Sequence, residues 1–337
     1  IIGAAVVIGY TVLGGVLAVS TTDLIQSIIM TFALIFIVPF GIQQAGGWDL
    51  VASNASSLPG FLNMTQGYDP ATGQASSYGG LSIVSTLAWG LGYFGMPQVL
   101  LRFMAIREER ELTRSRRIAT VWVVISLTVA VFIGIMGRQL FPTELTTSSD
   151  AENVFILLAT RLLPPVIAGL VMAGILAATI SSSDSYLLIA ASAFAKNIYQ
   201  GLVKKDASDK QVLWMSRLAL LVICAIAIVI ALDENSVIFT IVSFAWAGFG
   251  ATFGPLMLFS LFWKRINRQG AVAGMLSGGI MVFVWNLLLS PLGGIFSIYE
   301  LFPAFVISCI VIVVVSLATE APSSEIEKEF DLAAGRQ

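Results

Sequence analysis

The chain has 337 residues, 57% hydrophobic and 11% charged, with a mean hydropathy of +0.90; against about 25% charged residues in an ordinary soluble domain, this excludes a water-soluble globular protein. The 18 Lys+Arg nearly balance 20 Asp+Glu, which argues against a nucleic-acid partner, since that would require a basic face. With no histidine, and with Cys224 and Cys309 inside apolar stretches, no imidazole relay or His metal site is available, and the thiols read as small hydrophobes. No nucleophile–base pair, metal cluster or cofactor fingerprint supports an enzyme.

Apolar windows of about 20 residues, the length a helix needs to cross a bilayer, predict nine spans at 2–20, 23–45, 81–103, 118–138, 163–195, 212–232, 236–262, 270–290 and 301–319. The fold class is therefore an all-α integral membrane protein, with a single transmembrane domain over 1–319 and a tail over 320–337. The chain opens Ile1-Ile2-Gly3, with neither Met nor a charged leader, unlike a signal peptide, and reads as a fragment whose N-terminal part is missing. Arg102, Arg107, Arg110, Arg114, Arg116 and Arg117 fill one connection, Lys196, Lys204, Lys205 and Lys210 a second, and Lys264, Arg265 and Arg268 a third. Connections 46–80, 233–235 and 291–300 carry no basic residue, and 139–162 carries only Arg161, with Arg138 at its edge. The positive-inside rule makes the basic connections cytoplasmic. That places the first residue outside and the acidic tail inside a multi-pass protein of the inner (plasma) membrane, its partners being the lipid bilayer and small solutes.

The external connection 46–80, rich in Gly, Ser and Asn, is expected to hold little regular structure. External residues 150–162 predict a short helix with Asp150 as its cap and Phe155, Leu158 and Leu162 along one face. Glu108, Glu109 and Glu111 among the arginines of 102–117 predict a solvated mixed-charge loop.

Four stretches carry candidate chemistry. Asp23 closes Ser20-Thr21-Thr22-Asp23 at the start of the second span. It is either an ordinary helix cap or, paired with Asp184, the other acid within the span limits, part of a cation path. Span three contains Trp89-Gly90-Leu91-Gly92-Tyr93-Phe94-Gly95-Met96-Pro97. Its glycines and proline loosen a membrane helix, and irregular backbone at that depth is tolerated chiefly where it lines a cavity or is buried in protein. Trp89, Tyr93 and Pro97, spaced by four, share a face that is either a substrate-pocket wall or an interfacial aromatic belt with a proline kink.

Span five contains Ala178-Thr179-Ile180-Ser181-Ser182-Ser183-Asp184-Ser185. A carboxylate near mid-bilayer costs roughly 2.5–3.5 kcal/mol, so it persists where it faces water, an ion or a partner. At about 100° per residue Gly174, Ala178, Ser181 and Ser185 form one stripe, with Ser182 and Asp184 on its flanks. Hard oxygens on one face suit a small hard cation. Helix packing by small and hydroxyl residues is the alternative; it accounts for Ser183 and Ser192 but leaves the acid unexplained. The run Ala245-Trp246-Ala247-Gly248-Phe249-Gly250-Ala251-Thr252-Phe253-Gly254-Pro255 has no βαβ unit around it, so small-residue helix packing is expected there and not a dinucleotide site.

Gly14 to Ser20 with Thr22-Asp23, Trp89 to Pro97, Ala177 to Ser185 with Leu187-Leu188, and Ala245 to Pro255 together resemble the sodium:solute symporter family, its bacterial proline carriers most closely. The resemblance implies a leucine-transporter-type core of two inverted five-helix repeats, of which about nine transmembrane helices are present here and roughly the first four are missing, so the fragment alone is not expected to transport. It also implies sodium-coupled symport of a small solute, L-proline above others, by alternating access, with Na+ as the coupled ion. On these terms Ser181 and Ser182 match the sodium-holding hydroxyls, and Ala178 a position that contributes a backbone carbonyl. Asp23 matches a family aspartate associated with sodium passage or a second ion, and Asp184 and Ser185 fall where some members hold that ion. Trp89, Tyr93 and Pro97 match substrate-binding positions; Met96 departs from the polar residue expected of a proline carrier. A symporter of a monocarboxylate or another amino acid, or a transporter-like membrane sensor, are the alternatives, and the tail after Glu320 holds no kinase-like sequence for the latter.

Overall fold

A computed structural model describes residues 2–232 and 238–333; the side chains of 2–22, Ser148, Ser181, Asp184 and Ser185 lie outside the described residues. In chain order the elements are α1 (Ile2–Gln44), α2 (Trp48–Ser57), a two-stranded hairpin of β1 (Gln66–Asp69) and β2 (Gln74–Ser77), α3 (Gly80–Gly92), α4 (Pro97–Met104) and α5 (Glu109–Leu140). Then follow α6 (Ser148–Ala151), α7 (Val154–Leu162), α8 (Pro165–Ala193), α9 (Asp209–Ala231), α10 (Ile238–Phe262), α11 (Arg268–Val284), α12 (Leu301–Ala318) and α13 (Ser324–Ala333). Wide π turns extend α8 over Phe194–Val203 and α11 over Trp285–Leu289. In a bilayer each backbone polar group must be paired within the protein, so apolar stretches of this length become helices. Among the described residues six segments are long and apolar enough to cross: Asp23–Gln44, Glu109–Leu140, Asp209–Ala231, Ile238–Phe262, Arg268–Leu292 and Leu301–Ala318. The protein is a multi-pass membrane protein.

Four local expectations need correction. The spans 2–20 and 23–45 are one continuous helix of 43 residues, because neither Gly nor Pro lies between 16 and 38. Asp23 is therefore inside α1 and not its cap. The Ser27 and Thr31 hydroxyls donate to the carbonyls of Leu24 and Ser27 without interrupting the helix. At 1.5 Å per residue α1 is about 65 Å long, twice the roughly 30 Å hydrocarbon layer, so part of it must leave the membrane core. The 46–80 connection holds α2 and the hairpin. Its turn is built by Asp69, whose carboxylate accepts from the Ala71 N–H and the Thr72 hydroxyl at 2.9 and 2.8 Å, while Gly73 supplies φ +69°. Those two bonds, the Thr72 hydroxyl first, hold the Asp69 carboxyl below its usual value.

The third correction concerns the external helix: Thr147 is the N-cap of α6 and Asp150 is its reciprocal partner, Asp150 N–H to Thr147 Oγ1 at 3.1 Å and Thr147 N–H to Asp150 Oδ2 at 3.3 Å. Phe155, Leu158 and Leu162 of α7 do face one core, as expected. Finally, residues 109–117 are the first turns of α5 and not a loop, with Glu109 and Glu111 at the end where a helix favours acids.

The described residues form two compact units: Ile1–Asn63, Tyr68–Ala75 and Glu108–Ser236, and Met64–Gly67, Ser76–Arg107 and Val237–Gln337. The first is built on Ile37 of α1, Met136 of α5, Leu158 of α7 and Val171 of α8, all fully buried. Gly174 lets α8 close on α1, since a Cβ there would stand 2.6 Å from the Ala33 Cβ. Both basic residues of 138–162 are tied down: Arg138 donates to the Pro142 carbonyl at 3.0 Å and lies over the Tyr68 ring, and Arg161 pairs with Glu144 at 2.7 Å over the Phe141 ring.

In the second unit Gly270, Gly274 and Gly278, one turn apart, seat α11 against Ser316, Ile312 and Ser308 of α12, as small residues do at membrane helix interfaces. The connection after α10 clasps the end of α12. Asn267 Nδ2 donates to the Glu320 carbonyl and Thr319 Oγ1, both at 2.6 Å, its Oδ1 accepts from the Gly270 N–H at 2.8 Å, and Arg265 donates to the Thr319 carbonyl at 2.8 Å. Lys264 reaches Asp331 on α13 at 2.7 Å, a bond that holds its ammonium above the usual lysine value. Asn267→Ala removes donor and acceptor together from a buried position and is expected to cost about 1–3 kcal/mol, read as a lower Tm of the purified protein; an unchanged Tm would show the clasp to be idle.

Candidate functional site

In the second unit, α3 ends at Gly92, a single 3₁₀ turn follows over Tyr93–Gly95, Met96 is extended at φ −79°, ψ 117°, and α4 restarts at Pro97. A residue before proline is pushed out of the helical region, and proline fits the first helical position, where its missing N–H is not needed. The loosening predicted for span three is thus a break. It sits where two backbones touch: a Cβ on Gly95 would stand 2.4 Å from the Phe249 carbonyl oxygen and 2.8 Å from the Gly254 nitrogen, and one on Gly250 would stand 2.7 Å from the Gly92 Cα. The run 245–255 is a packing face, as expected.

Aromatic rings gather at this break. The Trp89 ring stacks on Phe239 and Trp246 with centroids 5.3 Å away in each case, and on Tyr299 at 6.1 Å. Tyr93 meets Trp246 edge-on at 4.8 Å. The Trp246 indole N–H donates to the Trp89 carbonyl at 2.9 Å, a group in the last turn of α3, where carbonyls lack helical partners. Tyr299 is fixed by its hydroxyl, which donates to the Ser243 carbonyl at 2.6 Å, and by its N–H, which donates to Ser85 Oγ at 3.0 Å. Burial, with Glu300 beside it, pushes the Tyr299 hydroxyl pKa upward.

Trp89 and Tyr93 are therefore brought together, through Trp246, with Tyr93 the half-exposed member. Pro97 lies beyond the break, so the four-residue spacing does not hold it on their helical face. Met96 is buried in the core with Trp246, Ala251 and Phe305, and its apolar side chain suits that packing. Sequence reasoning did not assign Phe239, Trp246 and Tyr299 to this cluster. Trp246 lies in a run expected to pack through its small residues, and the other two have no local signal.

In the first unit, α8 runs unbroken over Pro165–Ala193, and the polar run 181–185 interrupts a sequence that is apolar on both sides, over 165–180 and again from Leu187. Gly174 and Ala177 are buried and Ala178 is half-buried. The Thr179 and Ser183 hydroxyls donate to the carbonyls of Ile175 and Thr179 at 3.1 and 2.7 Å, so the Ser183 hydroxyl is satisfied within its own helix. Ser182 is exposed. The side chains of Ser181, Asp184 and Ser185 lie outside the described residues. Asp23 is half-buried on α1.

A helical membrane bundle with one helix broken among stacked aromatics, and another carrying hydroxyls and an acid through its apolar length, defines a class of polytopic membrane proteins whose helices are discontinuous. Residues 1–278 match the sodium:solute symporter family. The chain is 40% identical over 335 residues to the sodium/proline symporter of Haemophilus influenzae, covering 98% of this chain and 66% of that protein. It is likewise 40% identical over 329 residues to the high-affinity proline transporter PutP of Bacillus subtilis, covering 97% and 66%. Its fold matches that of a Na+-coupled sialic acid symporter solved in a substrate-bound outward-open state, with TM-score 0.67 and 20% identity over 95% of this chain and 66% of that one. The chain spans just under two thirds of the length of each of these proteins. It belongs to the sodium:solute symporter family, and its fold is the leucine-transporter type that the resemblance implied.

Proposed function

We propose that this chain forms part of a carrier that moves a small solute, most closely L-proline, into the cell with sodium by alternating access. The observation that carries this reading is the 40% identity, across 98% of the chain, to a protein named a sodium/proline symporter. In this reading the Ser181 and Ser182 hydroxyls and the Ala178 carbonyl hold sodium, and Trp89, Tyr93 and Pro97 contact the solute. Each monovalent cation that enters gains about 2.3 kcal/mol per 100 mV of membrane potential. Coupling requires sodium to favour the solute-receptive state, since equal affinity for two states shifts nothing.

The roles of Asp23 and Asp184 gain support from depth. By the alternation of spans α1 and α8 run antiparallel, and they meet where Gly174 faces Ala33. Ten residues along each helix from that contact, about 15 Å at 1.5 Å per residue, bring the chain to Asp184 on one and Asp23 on the other. Two acids at one level suit a second ion or a cation path. We place 46–80 and 150–162 outside, the tail 320–337 in the cytoplasm and the protein in the inner (plasma) membrane, on the asymmetry of basic connections.

The test is uptake of labelled proline by the full-length protein in vesicles with and without an inward sodium gradient. Uptake is expected to collapse without the gradient; gradient-independent uptake would overturn the coupling. Competition by a panel of monocarboxylates and other amino acids identifies the solute.

A further inference from the structure

We infer that the groove between the π turns ending α8 and the first half of α9 binds the headgroup of an anionic glycerophospholipid. The cavity is about 600 Å³ and is lined by Tyr199, Lys210, Trp214, Arg217, Leu218 and Leu221 among others. Lys210, Trp214, Arg217 and Leu221 recur at i, i+4, i+7 and i+11, one face of α9. Along that face polarity falls steadily: a lysine at the helix start, an exposed indole, an arginine, then leucines.

Arg217 is the decisive residue. It lies seven residues past Lys210, about 10 Å further along the helix at 1.5 Å per residue, within the apolar segment Asp209–Ala231. Its Nε is buried and, among the described residues, has no hydrogen-bond partner; its guanidinium carbon stands 5.8 Å from the centre of the Trp214 ring. A guanidinium within a span persists where it meets an anion or water, and its forked donors match phosphate oxygens. Other polar groups of the rim are already used: Ser208 and Gln211 cap α9 against each other, and Gln200 donates to the Ala207 carbonyl. Charge at the mouth favours an anion, since Lys196, Lys204, Lys205 and Lys210 outnumber Asp206 and Asp209. A free phosphate would match the two cations but not Leu218 and Leu221. An amphiphile satisfies both ends of the groove, as basic pockets between membrane helices do for lipid headgroups. The π turns, a feature frequent at functional sites, carry Tyr199 on the facing wall.

The test places full-length protein in phosphatidylcholine vesicles with a minor fraction of phosphatidylglycerol, brominating the acyl chains of one lipid or the other. Both leaflets carry the mixture, so the outcome depends on neither orientation nor transport. The Trp214 fluorescence component is isolated by difference against Trp214→Phe. Brominated phosphatidylglycerol is expected to quench it at least about fivefold more per molecule than brominated phosphatidylcholine, the scale set by a single basic residue at an anionic headgroup. Lys210→Gln and Arg217→Gln should each lower that ratio toward one, and Arg217→Lys should restore part of it. Equal quenching by the two lipids in the parent protein would overturn the site. Loss of the preference on adding soluble glycerol phosphate would overturn the lipid as occupant, showing that the phosphate group alone is bound.

Discussion

Gly95→Ala is expected to destabilise the protein by about 3 kcal/mol, the upper end of the usual cost of overpacking. The added methyl would meet the Phe249 carbonyl oxygen, the Gly254 nitrogen and the Gly250 Cα at 2.4, 2.8 and 3.0 Å. These are backbone atoms, which cannot swing aside as a side-chain tip can, so α10 would have to separate from the break. Gly90→Ala is the matched control, since nothing lies within 4 Å of a Cβ there. It is a helix-interior position, where alanine is worth about 0.5–1 kcal/mol over glycine. Thermal unfolding of both variants in the same detergent should therefore move in opposite directions; equal Tm values would mean that the backbone contact at Gly95 does not hold the segment.

Ser182→Ala in the full-length protein is expected to raise the sodium concentration for half-maximal uptake about tenfold, equivalent to ~1.4 kcal/mol for a lost ligand, with the maximal rate recovered at saturating sodium. Ser181→Ala should behave alike. Ser183→Ala should not, because the Ser183 hydroxyl donates to the Thr179 carbonyl of its own helix. Unchanged sodium dependence in both of the first two variants, or an equal shift in the third, would remove the cation site from this face of α8.

The helical class, most span positions and the packing role of 245–255 were legible in the sequence because each follows from a property local in the chain: apolar length, small residues one turn apart, glycine and proline. The break at 93–96 was legible for the same reason. Where the reading failed, partners decided. Ser20 to Asp23 contains good capping residues, yet no breaker accompanies them, and the helix runs through. Asp150 is an ordinary cap candidate, but Thr147, three residues earlier, takes the position and makes Asp150 its partner. The aromatic cluster was half legible. Trp89 and Tyr93 share a helical face, whereas Phe239 and Tyr299 reach Trp89 from positions far along the chain, and no periodicity records that.

The Trp246 side chain grips α3 twice, with its ring plane against Trp89 and its N–H on the same residue's carbonyl. Sliding α10 along α3 by even a fraction of a turn would forfeit stacking and hydrogen bond together, so intermediate positions gain nothing from either. The catch is all-or-none. During any rearrangement that opens or closes the protein, the last turn of α3, the kinked segment after it and α10 should travel as one rigid piece, leaving the bending to fall elsewhere.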